Sequence, residues 1–156
     1  MTTWQEQVDA VWARADELGD QGVMDAIDAL AAEAPDPGLA AFERGGSRDS
    51  AGLESEAEPL YREALALGLP EDERAQCTIQ LASTLRNLGR ADESLALLRN
   101  AAPYPPYSSA FAAFEALTLA TLGRPAEGLS LVLTALAPTL PRYQRSVAAY
   151  ADDLVP

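Results

Sequence analysis

"LASTLRNLGRADESLALLRNA", residues 81–101, and "FEALTLATLGRPAEGLSLVLTA", residues 114–135, say nearly the same thing twice. Each contains Leu-Gly-Arg, follows it three residues later with Glu, a small residue and Leu, and then runs into leucine-rich sequence. Gly89 and Gly123 stand 34 residues apart, as do Glu93 and Glu127, and Leu95 and Leu129. A fixed period of this length marks a supersecondary unit that cannot bury its apolar face alone and stacks on its neighbours. An earlier copy is "GLESEAEPLYREALALGLP", residues 52–70, whose Gly52 lies 37 before Gly89. The extra residues fit a longer turn around "GLPEDER", where an insertion costs little.

Spacing makes each copy a pair of helices. Thr78, Leu81, Ala82 and Leu85 recur at i, i+3, i+4 and i+7, one face of a helix that Gly89 closes. Leu95, Leu98 and Ala101–Ala102 form the next stripe, stopped by Pro103, Pro105 and Pro106. In the following copy Ala112, Ala116, Leu119 and Leu122 lead to Gly123. Pro125 opens the next helix, where its missing N–H does no harm, and Leu129, Val132, Leu133 and Leu136 continue to Pro138 and Pro141. The flanks read the same way. "TWQEQVDAVWARADELG" sets Trp4, Val8, Val11, Trp12 and Leu18 on one face, and "VMDAIDALAAEA" sets Val23, Ile27 and Leu30, with Pro35 and Pro37 ending that helix. In the tail, Tyr143, Val147, Tyr150 and Leu154 fall at helical spacing, as in a capping helix. The expected fold is all-α: one domain over 1–156, with a degenerate first helix pair at 1–35, repeats at 36–70, 71–106 and 107–138, and a cap at 139–156.

Composition narrows the function. The chain of 156 residues is 48% hydrophobic, enough to bury a core, and its alanine and leucine favour helix over strand. It has 24 acids against 11 Arg, with no Lys and no His, for a net charge of -13. Such a chain repels phosphate backbones, so nucleic acid is not an expected partner. Residues 1–36 alone hold nine acids and only Arg14, a solvated surface or a site for a basic partner. Cys77 is the one cysteine, so neither an internal disulfide nor a Cys/His metal site can be built, and its helical setting makes it a core residue. Without His there is no common general base and no Ser-His-Asp triad. "GGSRDSAG" lacks the spacing and the Lys of a phosphate loop. No catalytic residue, metal or cofactor is expected. The start of the chain lacks a basic, apolar leader, and no run approaches the roughly 18 apolar residues of a membrane span. We therefore expect a cytoplasmic protein without membrane contact.

The repeats resemble those of tetratricopeptide-repeat proteins. Glu56-Ala57, Tyr61, Ala64-Leu65 and Pro70 match the second half of one repeat; Leu81-Ala82, Leu85, Gly89, Leu98, Ala101 and Pro106 match another; Ala116, Leu119, Gly123, Leu129 and Ala135-Leu136 match a third. "YREALALGLPEDERAQCTIQLASTLRNLGRADESLALL" is similar to a compact bacterial family of this kind. The resemblance covers residues 36–137 well. It implies an α-solenoid of antiparallel helix pairs in a right-handed superhelix. Two departures stand out. "FERGGSRDSAG", residues 42–52, carries two adjacent glycines that each cost a helix about 1 kcal/mol against alanine, so a short or frayed helix is expected there. Glu115 replaces a leucine in the third repeat.

In such proteins the front helices line a concave groove. Opposite the core stripe of residues 78–85 lie Gln76, Ile79, Ser83, Arg86 and Asn87. Phe42, Gly46 and Asp49 from the preceding front helix, and Ala113, Leu117 and Thr121 from the following one, extend that face. Arg86 can clamp a carboxylate with two parallel hydrogen bonds and Asn87 can pair with a peptide amide; alternatively Arg86 pairs with an acid such as Asp49. The expected role is a protein-interaction module for a peptide or partner segment. The alternative is a structural module forming a homodimer or docking into a larger assembly, to which the Tyr104 and Tyr107 edge among three prolines would contribute.

Overall fold

The Leu-Gly-Arg string ends one helix and starts the next by the same bonds in each copy. Gly89 and Gly123 have φ of 78° and 75°, the left-handed region that glycine enters without a Cβ clash. With the chain so turned, Arg90 N–H donates to the Leu85 carbonyl at 2.8 Å, and Arg124 N–H to the Leu119 carbonyl at 2.8 Å, satisfying carbonyls that the helix end would orphan. The arginine then reaches forward. Arg90 Nε and Nη2 donate to the two carboxylate oxygens of Glu93 at 2.7 and 2.7 Å, and Arg124 does the same with Glu127 at 2.6 and 2.7 Å. Each glutamate sits in the first turn of the new helix, where the dipole favours an acid.

The computed structural model describes residues 2–155, and all the regular elements among them are helical. These are α1 (Trp4–Trp12), α2 (Ala15–Ala31), α3 (Pro37–Ser50), α4 (Glu54–Leu67), α5 (Glu71–Asn87), α6 (Ala91–Asn100), α7 (Ser108–Thr121), α8 (Pro125–Leu136) and α9 (Gln144–Asp153). Single 3-10 turns precede α7 and follow α8. Short connections make neighbours of α1 and α2, α2 and α3, and α3 and α4, and likewise of α6 and α7, α7 and α8, and α8 and α9. None of the described helices is long and apolar enough to cross a membrane. The chain forms two compact units, which divide within α5 between Thr84 and Leu85.

In the first unit Val8, Val23 and Ile27 form a buried cluster, walled by Trp4, Val11, Trp12, Leu18 and Leu30, all of them on the stripes read from the sequence. Trp4 Nε1 ties α1 to α2 by donating to the Leu30 carbonyl at 2.8 Å. The helix bounds differ from expectation. α1 stops at Trp12, and α2 begins at Ala15 and kinks at Gly19, where φ is 67° and ψ is 170°. Pro37 opens α3 rather than closing α2: Asp36 caps the helix by accepting from Gly38 and Leu39 N–H at 2.7 and 3.1 Å, and Pro37 takes the first-turn place that needs no N–H.

The expectation of a short or frayed α3 is overturned, since the helix runs 14 residues through Gly45 and Gly46. Gly45 is buried beneath the Tyr61 ring, where an added Cβ would lie 2.7 Å from ring carbon Cδ1. Glycine is therefore what lets α3 and α4 approach, and tertiary packing outweighs local propensity. Charge holds the other side. Asp28 of α2 accepts from Arg48 Nη1 and Nη2 at 2.8 and 2.6 Å and from Arg44 Nε at 3.0 Å.

In α5 the expected core residues Thr78, Leu81, Ala82 and Leu85 are all buried, as are Cys77 and Thr84. In the second unit α7 seats on α6 through a buried hydroxyl pair, Ser94 and Thr118, 3.1 Å apart. Glu115, the departure from the repeat pattern, accepts from Arg99 Nε of α6 at 2.7 Å, so the charge is met where leucine would have packed. The tail differs from its reading. Ala151 is buried and Val147 and Leu154 half-buried, while Tyr143 and Tyr150 point into solvent. Tyr143 lies just before α9 at φ 69°, outside the helix whose face it was expected to share.

Candidate functional site

The residues expected to line a groove fall into two groups, one in each unit. In the first unit Phe42 and Ile79 are only 6% exposed, so they support the surface rather than offer it. Phe42 packs 6.3 Å from Tyr61, ring centre to ring centre. Gln76 is half-buried and donates to the Asp72 carboxylate at 2.6 Å; Ser83 is half-buried. Gly46 faces Trp12.

Asp49 belongs to a polar cluster that sequence reading did not assemble. Tyr61 Oη lies 3.2 Å from Asp49 Oδ2 and 2.7 Å from Gln80 Oε1, and the Thr84 hydroxyl donates to Asp49 Oδ1 at 3.1 Å. A phenol has one proton and cannot donate to both oxygens. Its proton goes to Asp49 when the Gln80 amide is turned to present its N–H, and to Gln80 when Asp49 itself carries a proton. Burial raises the Asp49 carboxyl above its ordinary range, against the bonds from Thr84 and Tyr61. Glu43, which accepts from Trp12 Nε1 at 2.9 Å, is likewise raised by burial. Cys77 is buried, and that burial pushes its thiol up to about 12, so it is inert. Among the described residues no group of three or more His, Cys, Asp or Glu could hold a metal ion.

The second unit carries the rest. Arg86 is half-buried; its Nη2 donates to Asn87 Oδ1 at 3.3 Å, a long bond, and its Nε is buried with no hydrogen-bond partner. Asn87 is exposed. On α7 Ala113 and Thr121 are exposed and Leu117 is 47% exposed. The repeat period relates the two helices, because Asn87 and Thr121 stand 34 apart, as do Ser83 and Leu117, and Ile79 and Ala113. α5 presents a guanidinium and an amide at its end, and α7 presents small and apolar side chains along the same helical face.

The sequence reading also missed a second surface. Between α7 and α8 runs an apolar groove of about 430 Å³, walled by Leu117 and Ala120 on one side and Leu129 and Val132 on the other. At its floor the helices nearly touch: a Cβ on Gly128 would lie 2.8 Å from the Ala116 carbonyl oxygen. Reading Leu129 against Leu95, its counterpart one period earlier, asks what covers each, and that is the signal that could have found it.

Helix pairs closed by the same cap and repeating at a fixed period define a helical-repeat protein. The chain belongs to the tetratricopeptide-repeat family: the model of the family described as Tetratrico peptide repeat matches residues 38–154. Members of this family are in general protein–protein interaction modules, typically without catalysis. No curated protein and no solved structure matches the chain.

Proposed function

We propose that this protein holds a peptide or an extended segment of a partner on its front-helix face, with Arg86 as the anchor for a carboxylate. The observation that carries the reading is the buried Nε of Arg86, which has no acceptor among the described residues. A buried N–H without an acceptor is costly, and natural proteins rarely leave one without a purpose. Once the side chain turns outward, a partner carboxylate would accept from Nε and a terminal nitrogen together, the two-pronged geometry that suits guanidinium. Asn87, exposed beside it, supplies an amide for backbone pairing, and Ala113, Leu117 and Thr121 supply a surface for apolar side chains. Asp49, Gln76 and Ser83 furnish the first unit with a polar front face of its own, above the core formed by Phe42 and Ile79.

The test is a display library of random peptides with free C-termini, selected on the full chain. The reading expects peptides whose binding is lost on Arg86→Ala. Selected peptides that bind Arg86→Ala as well as the parent would refute it.

A further inference from the structure

Leu95 and Leu129 occupy the same place in successive repeats, 34 residues apart, yet Leu95 is 7% exposed and Leu129 is 50% exposed. Both lie in the second unit. Leu95 stands on α6, against which the next front helix, α7, is seated through Ser94–Thr118 and Arg99–Glu115. Leu129 stands on α8, whose next helix, α9, packs on α8 and the turn after it. The strip of α7 and α8 around Leu117, Leu129 and Val132 stays open, with an apolar groove of about 430 Å³ that no charged side chain lines. Apolar residues that a following helix should cover are thus left at the surface.

The charge distribution says what covers them. Residues 1–84 hold 18 acids and five arginines, whereas residues 85–156 hold six of each. The whole net charge of -13 therefore lies in the first unit, and the second is neutral. A basic partner would be drawn to the first unit and would find nothing to pair with along α7 and α8. A neutral, uncharged strip is instead complementary to itself, and a two-fold contact brings the same patch of each copy together without opposing like charges. We propose that the α7–α8 face is the interface of a homodimer, in which Leu129 and Leu117 of one copy enter the groove of the other. The proposal does not rest on the peptide reading. Leu117 serves both, but Leu129 and Val132 lie on α8, off the front-helix stripe, so a Leu129 variant separates them.

Sedimentation of the full chain from roughly 0.01 to 100 µM tests the idea, a span that covers dissociation constants worth about 6–11 kcal/mol. The expected result is a monomer–dimer equilibrium in the parent. Leu129→Arg should weaken it at least tenfold, and the milder Leu129→Gln should weaken it less, both with unchanged helical circular dichroism. Leu67→Arg, at an equally exposed leucine of α4, should leave the dimer intact. A parent that stays monomeric throughout overturns the proposal and leaves a helix of another protein as the occupant. Dimers that persist in both Leu129 variants, or that Leu67→Arg breaks, overturn it as well. So does mass that grows without limit, the mark of head-to-tail stacking.

Discussion

Gly45 and Tyr61 are in such close contact that no other residue fits at 45: a Cβ there would lie 2.7 and 2.8 Å from two carbons of a fully buried ring. Next to it, a Cβ on Gly46 would meet Trp12 Cζ2 at an ordinary 3.5 Å. Two adjacent glycines in one helix thus have opposite roles. Gly45→Ala should destabilise the first unit by about 1–3 kcal/mol through overpacking, more than the roughly 1 kcal/mol of helix propensity it gains. Gly46→Ala should be neutral or stabilising by up to about 1 kcal/mol. Urea titrations of both variants check this, and equal effects would mean that the Tyr61 contact does not govern the site.

Asp28 is the electrostatic tie between α2 and α3. Its bond to Arg48 holds its carboxyl below the ordinary range, opposed by burial and assisted by Arg44. Asp28→Asn removes the charge that three hydrogen bonds share. Because the Asp28 side chain is 39% exposed, water makes up part of the loss, and the cost should be about 1–2 kcal/mol. High salt should narrow the gap between parent and variant in thermal melts.

The buried carboxyls predict an unusual pH profile. Asp49 and Glu43 are both raised by burial in the folded state. What they contribute to stability is therefore complete below the ordinary carboxyl range and lost as pH rises through their raised values. Asp28 has the opposite sign: its contribution is present above the ordinary range and lost as pH falls through its lowered value. Asp49 and Glu43 should therefore weaken the first unit as pH rises from mild acid toward neutrality. Asp49→Asn keeps an acceptor for Thr84, adds an N–H for Tyr61 and removes the carboxyl that burial penalises when charged. It should raise the melting temperature at pH 7 and flatten its fall between mild acid and neutrality. A variant less stable than the parent at pH 7 would show Asp49 to be held ionised.

How much of this was written in the chain depends on how far each cause reaches. The cap at Gly89 and Gly123, the Arg–Glu clamps that follow and the buried stripe of Thr78, Leu81, Ala82 and Leu85 act within a turn or two of helix, and all are visible as spacing. Gly45 is judged by its neighbours in sequence as a helix breaker, whereas its cause is a ring 16 residues away on another helix. Ile79 reads as surface because α5 shows one strong apolar stripe, yet helix α5 also buries Cys77 and Thr84 outside that stripe, so it is covered on more than one side. Tyr143 shares the helical spacing of Val147 but sits ahead of α9 with a left-handed backbone, which no periodicity reveals. At the candidate site, spacing set Arg86, Asn87 and Leu117 off the core stripe, and Asn87 and Leu117 are exposed while Arg86 is half-buried; the unpartnered Nε of Arg86 is a matter of atomic contact alone.

Arg86 itself gives the decisive separation between a structural and a binding residue. Its side chain forms no ion pair among the described residues, and the one hydrogen bond of that side chain, to Asn87, is 3.3 Å long. Arg86→Ala loses only that long bond and takes away a buried donor that nothing satisfies, so stability should fall by no more than about 0.5 kcal/mol. Binding of a peptide with a free carboxylate should weaken by roughly 1.5–3 kcal/mol, the range for a hydrogen bond to a charged group, which is more than tenfold in affinity. Arg86→Lys should recover only part of the loss, since an ammonium is a point charge without the flat fork that meets both carboxylate oxygens. Asn87→Ala should weaken binding less, by about 0.5–1.5 kcal/mol for one neutral hydrogen bond. Calorimetric titration of the parent and the three variants, with urea melts of each, reads both quantities. If Arg86→Ala costs much stability and leaves peptide affinity unchanged, the guanidinium holds the helix end together, and the partner must be gripped elsewhere.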